Sequence, residues 1–205
     1  MQEELDMLRE VGNIASGHGS SALSDMLGKR INLKFPSVEV ITPDQVNSRL
    51  PAVKLTLAVF SNIPLSIEGK VAFLMDGENA VRLINMSSKT ENPEESKPAL
   101  ILDMMGLSLL KEIGDIAVGA YVNALSMVLK QVTTGVRSTL ISGSAEDILN
   151  TVILFKEKEK YCYLIESVFE EPKSGLSGGF YLVLTPGAVM SVMDTCKKML
   201  GDSGK

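Results

Sequence analysis

The chain has 205 residues, 45% of them hydrophobic and 22% charged, with a net charge of −5. That is enough apolar material for one domain with a sizeable core. The acidic balance, with no basic stripe to neutralise phosphates, argues against a nucleic-acid partner. No run resembles a signal peptide or reaches membrane-spanning length, so a cytoplasmic, non-membrane protein is expected. Cys162 and Cys196 suggest neither a disulfide framework nor a zinc site. His18 is the single histidine, which disfavours His-based metal centres and triads. At the edge of the first helix's apolar face, it is expected to be structural.

The first stretch, Leu5 to Met26, reads as a helix with two faces. Asp6, Glu10, Asn13, Gly17, Ser20 and Ser24 fall on one stripe. Leu8, Val11, Gly12, Ala15, Gly19, Ala22, Leu23 and Met26 fall on the other side. Steps of three and four make Asp6, Glu10 and Asn13 neighbours on the water side. Asn is a poor residue for that place, because its side chain competes with the backbone for hydrogen bonds. Gly28 suits the helix end.

Next come a strand over Ile31–Phe35, an interruption at Pro36-Ser37, and a strand over Val38–Ile41. A polar loop runs from Pro43 to Arg49. Strands over Val53–Phe60 and Ile67–Met75, joined by a turn at Ser61–Pro64, should pair as an antiparallel hairpin. A short helix covers Glu78–Met86. A Ser-, Lys-, Glu- and Pro-rich linker follows at about 87–100.

The second half repeats the order. A long helix is expected from about Ile101 to Lys130 and a strand over Ser138–Ile141. A helical turn covers Ala145–Leu149. A hairpin joins Thr151–Lys156 to Tyr161–Phe169, and a strand covers Gly179–Leu184. A last helix, opened by Pro186-Gly187, covers Ala188–Leu200.

Shifting the sequence by 102 positions shows that the long helix is written twice. Leu5, Leu8, Glu10, Gly12, Ile14, Ala15, Gly17, Ala22, Leu23 and Ser24 meet the same residue types at Leu107, Leu110, Glu112, Gly114, Ile116, Ala117, Gly119, Ala124, Leu125 and Ser126. The copies differ where chemistry would sit: Asp6 becomes Ser108 and Asn13 becomes Asp115. Each shared glycine costs a helix about 1 kcal/mol relative to Ala. For Gly12 and Gly114, on the inward side, close backbone approach compensates. For Gly17 and Gly119, on the polar stripe, a partner coming near the backbone would. The expected fold is therefore α+β: an antiparallel sheet with helices packed on one face, in two pseudo-symmetric halves. The first half spans about 1–87 and the second about 101–205, as a single domain over 1–205. Both long helices should present their polar pairs to solvent on the same side.

The phrase Asp6-x3-Glu10-x2-Asn13, followed after twenty-two residues by Pro36, resembles the signature of the CheC/CheX/FliY phosphatases of chemotaxis. Glu10-Val11-Gly12-Asn13-Ile14-Ala15-Ser16-Gly17 is similar to that family's central phrase. The duplicated helix, linker and strand order resemble the CheC branch over nearly the whole chain. A FliY-type flagellar switch component is disfavoured, because the C-terminal motor-switch domain it would need does not follow.

The resemblance implies a response-regulator aspartyl-phosphate phosphatase, a hydrolase acting on phosphorylated CheY in two-component signalling. Glu10 would salt-bridge the regulator's active-site lysine. Asn13 would hold a water in line with the phosphoaspartyl bond, since a carboxamide both donates to and accepts from one water. Asp6 and Pro36 would support the site. Mg²⁺ would come from the regulator, with no cofactor or metal held by this chain. At the second site, Ser108, Glu112 and Asp115 form a degenerate copy. Asp115 cannot donate a hydrogen bond, and Ser138 stands where Pro36 has its counterpart, so that site should be weak or silent. The alternative is a non-catalytic or weakly catalytic adaptor that binds the regulator or the receptor deamidase CheD. The family places CheD around the last helix, where Met190, Met193 and Met199 could be core or surface.

Overall fold

The computed structural model describes residues 2–42, 45, 55–87, 103–133, 135–153 and 160–202. The loop expected over Pro43–Arg49 and the linker expected over about 87–100 fall, except for Gln45 and Ser87, outside these residues. Helix α1 spans Gln2–Leu27 and ends at Gly28, whose φ of +59° suits a residue without a Cβ. Strands β1 (Asn32–Leu33), β2 (Ser37–Ile41), β3 (Leu55–Asn62) and β4 (Gly69–Asp76) follow, then helix α2 (Gly77–Ser87). The second half holds α3 (Met104–Val128), β5 (Ser138–Ser144), α4 (Ala145–Val152), β6 (Cys162–Glu171), β7 (Leu176–Leu184) and α5 (Pro186–Asp202).

The strands form one seven-stranded antiparallel sheet in the order β1-β6-β7-β4-β3-β5, with β2 also on β6. β3 and β4 pair as the expected hairpin, with Val59 opposite Phe73. The halves trade their edges. First-half strand β2 lies on β6 of the second half, and second-half strand β5 lies on β3 of the first. β4 and β7 join the halves in the middle.

The main core lies between the sheet and the two long helices. Leu8, Val11, Ala15 and Leu23 of α1 and Leu110, Ile113, Ala117 and Tyr121 of α3 are buried there against Phe73, Phe169 and Phe180. Phe180 stacks with Tyr121 at 5.5 Å and meets Phe73 at 5.5 Å. Each buried Leu, Ile, Val or Phe side chain contributes roughly 1.5–3 kcal/mol, so both long helices are held firmly along their inward stripes. Two glycines permit that closeness. A Cβ on Gly12 would stand 2.5 Å from Ile165 Cγ2, and one on Gly114 would collide with Val59.

Several expectations change. Ser61 and Asn62 are not a turn but the end of β3, paired with Val71 and Lys70. The strand expected over Ile31–Phe35 shrinks to two residues because of a bulge. Leu33 pairs with Phe169 and Ser37 with Glu166, so three residues face two. Pro36, which has no N–H to give the ladder, sits in that bulge and is buried. Of the strand expected over Thr151–Lys156, Thr151 and Val152 instead end α4 and Ile153 follows in a turn, while the rest lies outside the described residues. Ser144 caps this helix by accepting from the Asp147 N–H at 3.1 Å, and Ile148, Leu149 and Val152 then share its buried stripe. Among the described residues β6 pairs with β1, β2 and β7.

The helices also do not all lie on one face. Ile148, Leu149 and Val152 pack with Ala58, Ala72, Leu164 and Val183 in a second core on the opposite side of the sheet. Cys162 belongs to it, and burial pushes its thiol up to about 12. Both cysteines are free. Among the described residues no helix is long and apolar enough to cross a membrane.

Candidate functional site

α1 sorts its residues as the 3.6-residue period requires. Leu8, Val11, Gly12 and Ala15 face the core, while Asp6 and Glu10 are exposed and Asn13 is half-buried beside them. The polar stripe is shorter than its sequence reads. Ser20 is buried and donates to the Gly17 carbonyl at 3.0 Å. His18, expected at the edge of the buried face, is exposed.

The position of Asn13 is set from behind. Gly12 lies against Ile165 of β6, and a Cβ there would also meet Pro36 at 3.8 Å. The bulge thus turns Pro36 toward the residue preceding Asn13. Ser16, buried, donates to the Gly12 carbonyl at 2.7 Å. The helix beside Asn13 is thus seated against Ile165 and Pro36 at Gly12, while Glu10 on its outer side is exposed.

Among the described residues the side chains of Glu10 and Asn13 make no hydrogen bond or ion pair. Asp6 is different. It accepts from Arg9 Nη1 at 2.6 Å and from Gln2 Nε2 at 3.1 Å. One turn of exposed helix therefore offers a carboxylate and a carboxamide with their polar capacity unspent, next to a neutralised ion pair.

The second copy stands differently. Glu112 is exposed on α3, as Glu10 is on α1. Asp115, however, is engaged by Lys111 Nζ at 2.6 Å on both oxygens, and the Ser138 hydroxyl donates to Oδ1. Lys111 Nζ also donates to Ser138 Oγ at 2.9 Å. Ser108 turns its hydroxyl to its own helix, donating to the Met104 carbonyl at 2.8 Å. Thus Ser108, Glu112 and Asp115 lie along one exposed helix face, but the residue matching Asn13 is spent inside a Lys–Asp–Ser network.

Sequence reasoning did not reach Arg9 or Lys111. Both were legible as charge pairs at helical spacing, Asp6–Arg9 at i,i+3 and Lys111–Asp115 at i,i+4. Among the described residues no three His, Cys, Asp or Glu side chains stand together as a metal site. Of the three methionines on the last helix, Met193 is buried, Met190 is 68% exposed and Met199 is half-buried.

A free glutamate and asparagine, one turn apart on a long helix over an antiparallel sheet, is the arrangement that the signature phrase implied. The model of the CheC-like family matches residues 3–40, which span α1, the bulge and most of β2. The CheY-P phosphatase CheC of Bacillus subtilis (strain 168) is 30% identical over 130 residues, covering 63% of this chain and 61% of that protein. The match thus spans about three-fifths of the relative's length. In fold, the chain is similar to FliY of Thermotoga maritima, with a TM-score of 0.74 and 23% identity over 97% of this chain and 98% of that one. It is also similar to the FliM middle domain of Vibrio alginolyticus, with a TM-score of 0.61 and 15% identity over 92% and 99%. At these identities the structural matches speak for the fold alone. The resemblance to CheC-type chemotaxis proteins read from the sequence therefore holds, and it is anchored on the segment that carries Asp6, Glu10, Asn13 and Pro36.

Proposed function

We propose that this chain is a phosphatase for the phosphoaspartate of a chemotaxis response regulator of the CheY kind, with its reactive pair on α1. The observation that carries the reading is the unspent state of Glu10 and Asn13 on the outer side of a helix whose inward stripe is packed into the core. The curated relative named as a CheY-P phosphatase supports the choice of substrate.

In this reading Glu10 pairs with a lysine of the regulator and sets how the two proteins dock. The Asn13 carboxamide then accepts from and donates to one water, holding its oxygen in line with the phosphorus–acyl oxygen bond. The water oxygen attacks phosphorus, the bond to the aspartyl oxygen breaks, and the aspartate leaves as a carboxylate. The water's protons pass to inorganic phosphate and solvent. Mg²⁺ carried by the regulator neutralises charge on the phosphoryl oxygens. Positioning is the main contribution asked of this chain, and it is worth large factors in such reactions. The second copy is weak or silent, because Asp115 has no N–H to donate and its oxygens are already engaged. The site of action is the cytoplasm, where such a regulator is found.

The test is the dephosphorylation rate of phosphorylated CheY with the wild type, Asn13→Ala and Asp115→Ala. Asn13→Ala is expected to lower the rate on the order of a hundredfold, the cost of losing alignment, while Asp115→Ala leaves it near wild type. An unchanged rate in Asn13→Ala with binding intact would make the chain an adaptor for the regulator or for CheD. Loss in Asp115→Ala alone would move the active site to α3.

A further inference from the structure

The two copies of the long helix carry a cation at the same place, one residue before the glutamate: Arg9 in α1 and Lys111 in α3. The two cations point in opposite directions along their helices. Arg9 turns toward the N-terminus onto Asp6, three residues back, at 2.6 Å. Lys111 turns toward the C-terminus onto Asp115, four residues on, at 2.6 Å. The second copy shows that a long basic side chain at this place reaches the residue matching Asn13. It also shows what is missing when the chain turns that way. Ser108, in the place of Asp6, carries no charge and spends its hydroxyl on the Met104 carbonyl.

From this we propose that Asp6 is a positioning residue for the phosphatase site. It holds the Arg9 guanidinium back along the helix, and so leaves the Asn13 carboxamide oxygen free to take a water. Without Asp6, the nearest acceptor at helical spacing for Arg9 is Asn13 Oδ1, at i,i+4. An arginine bonded there takes one of the oxygen's two lone pairs and turns the carboxamide toward itself, away from the water. It also sets an unneutralised positive charge beside Glu10, which has to attract a lysine. Asp6 therefore acts twice through Arg9, on the geometry of Asn13 and on the field around Glu10. The Gln2 amide, on the same Asp6 oxygen at 3.1 Å, keeps that carboxylate oriented.

The inference rests on the phosphatase reading, and its test separates the two. The rate is measured on CheY charged with acetyl phosphate, alongside Asn13→Ala. In Asp6→Ser, kcat/KM is expected to fall about fivefold, the scale of a partly exposed ion pair. Asp6→Glu, which still reaches Arg9, retains the wild-type value. The double variant Asp6→Ser/Arg9→Gln recovers to within about twofold of wild type, since a neutral amide at position 9 no longer competes by charge. The side-chain NH₂ resonances of Asn13 in ¹⁵N spectra shift in Asp6→Ser and return in the double variant. A wild-type rate in Asp6→Ser overturns the inference, and so does a loss that removing Arg9 fails to reverse. If Asn13→Ala is itself without effect, the phosphatase reading falls instead.

Discussion

At the scale of single residues, glycines on one helix have opposite reasons to be there. Gly12 is fixed by contact: a Cβ would stand 2.5 Å from Ile165 Cγ2. Gly12→Ala should therefore destabilise the protein by about 1–3 kcal/mol, the range for overpacking, and, on the proposed function, tilt α1 enough to slow CheY-P dephosphorylation as well. Gly17 meets nothing within 4 Å of the same added atom. Gly17→Ala should raise stability by up to about 1 kcal/mol, because alanine is the better helix former. Thermal unfolding of the two variants checks the opposite signs. If the regulator comes close to the backbone at Gly17, the stabilised variant will also be the slower phosphatase, an effect that no folding defect could produce. The inward role of Gly12 was legible in the helical period. Which atom it touches was not, since Ile165 is far away in the chain.

At the scale of elements, the comparison between α1 and α3 turns on a bond between a helix and a strand. Ser138 begins β5 and gives its hydroxyl to Asp115. Pro36, in the bulge between β1 and β2, has no such group to give. Replacing Asp115 by asparagine alone should therefore add little activity, because Lys111 and Ser138 still occupy the new carboxamide. Combining Asp115→Asn with Ser138→Pro and Lys111→Ala should produce a second working face, measured on CheY-P in an Asn13→Ala background. Full activity from Asp115→Asn by itself would show that the network does not matter. The departures at 115 and 138 could be read from the repeat. Their joining into one network could not, because it depends on where the strand passes the helix. α4 shows the same limit from another side. Thr151 and Val152 looked extended, yet the Ser144 cap and the spacing of Ile148 and Val152 carry the helix on to them.

At the scale of the whole molecule, the halves are joined by exchange. β2 needs β6 and β5 needs β3, so each half supplies an edge that only the other can pair. The two long helices also share one core above the sheet. Residues 1–87 and 103–205 made as separate chains should each be aggregation-prone, with unpaired strand edges and bare apolar faces. Made together, they should assemble into a complex with the circular dichroism and thermal transition of the intact chain. Independent folding of either fragment, seen by dispersed NMR spectra, would count against this account of how the halves depend on each other.

The chain by itself determined the long helix and its sidedness, the repeat, the hairpin of β3 and β4, and the Glu10/Asn13 pair, because local periodicity and residue chemistry are written within a few turns of sequence. Tertiary structure alone decided which strand lies beside which, that α4 covers the far face of the sheet, and that Asp115 is tied up while Asn13 is free. Those outcomes hang on contacts between residues far apart in the chain, such as Ser138 with Asp115 and Ile165 with Gly12. No local pattern encodes such a contact until the sheet has brought its two sides together.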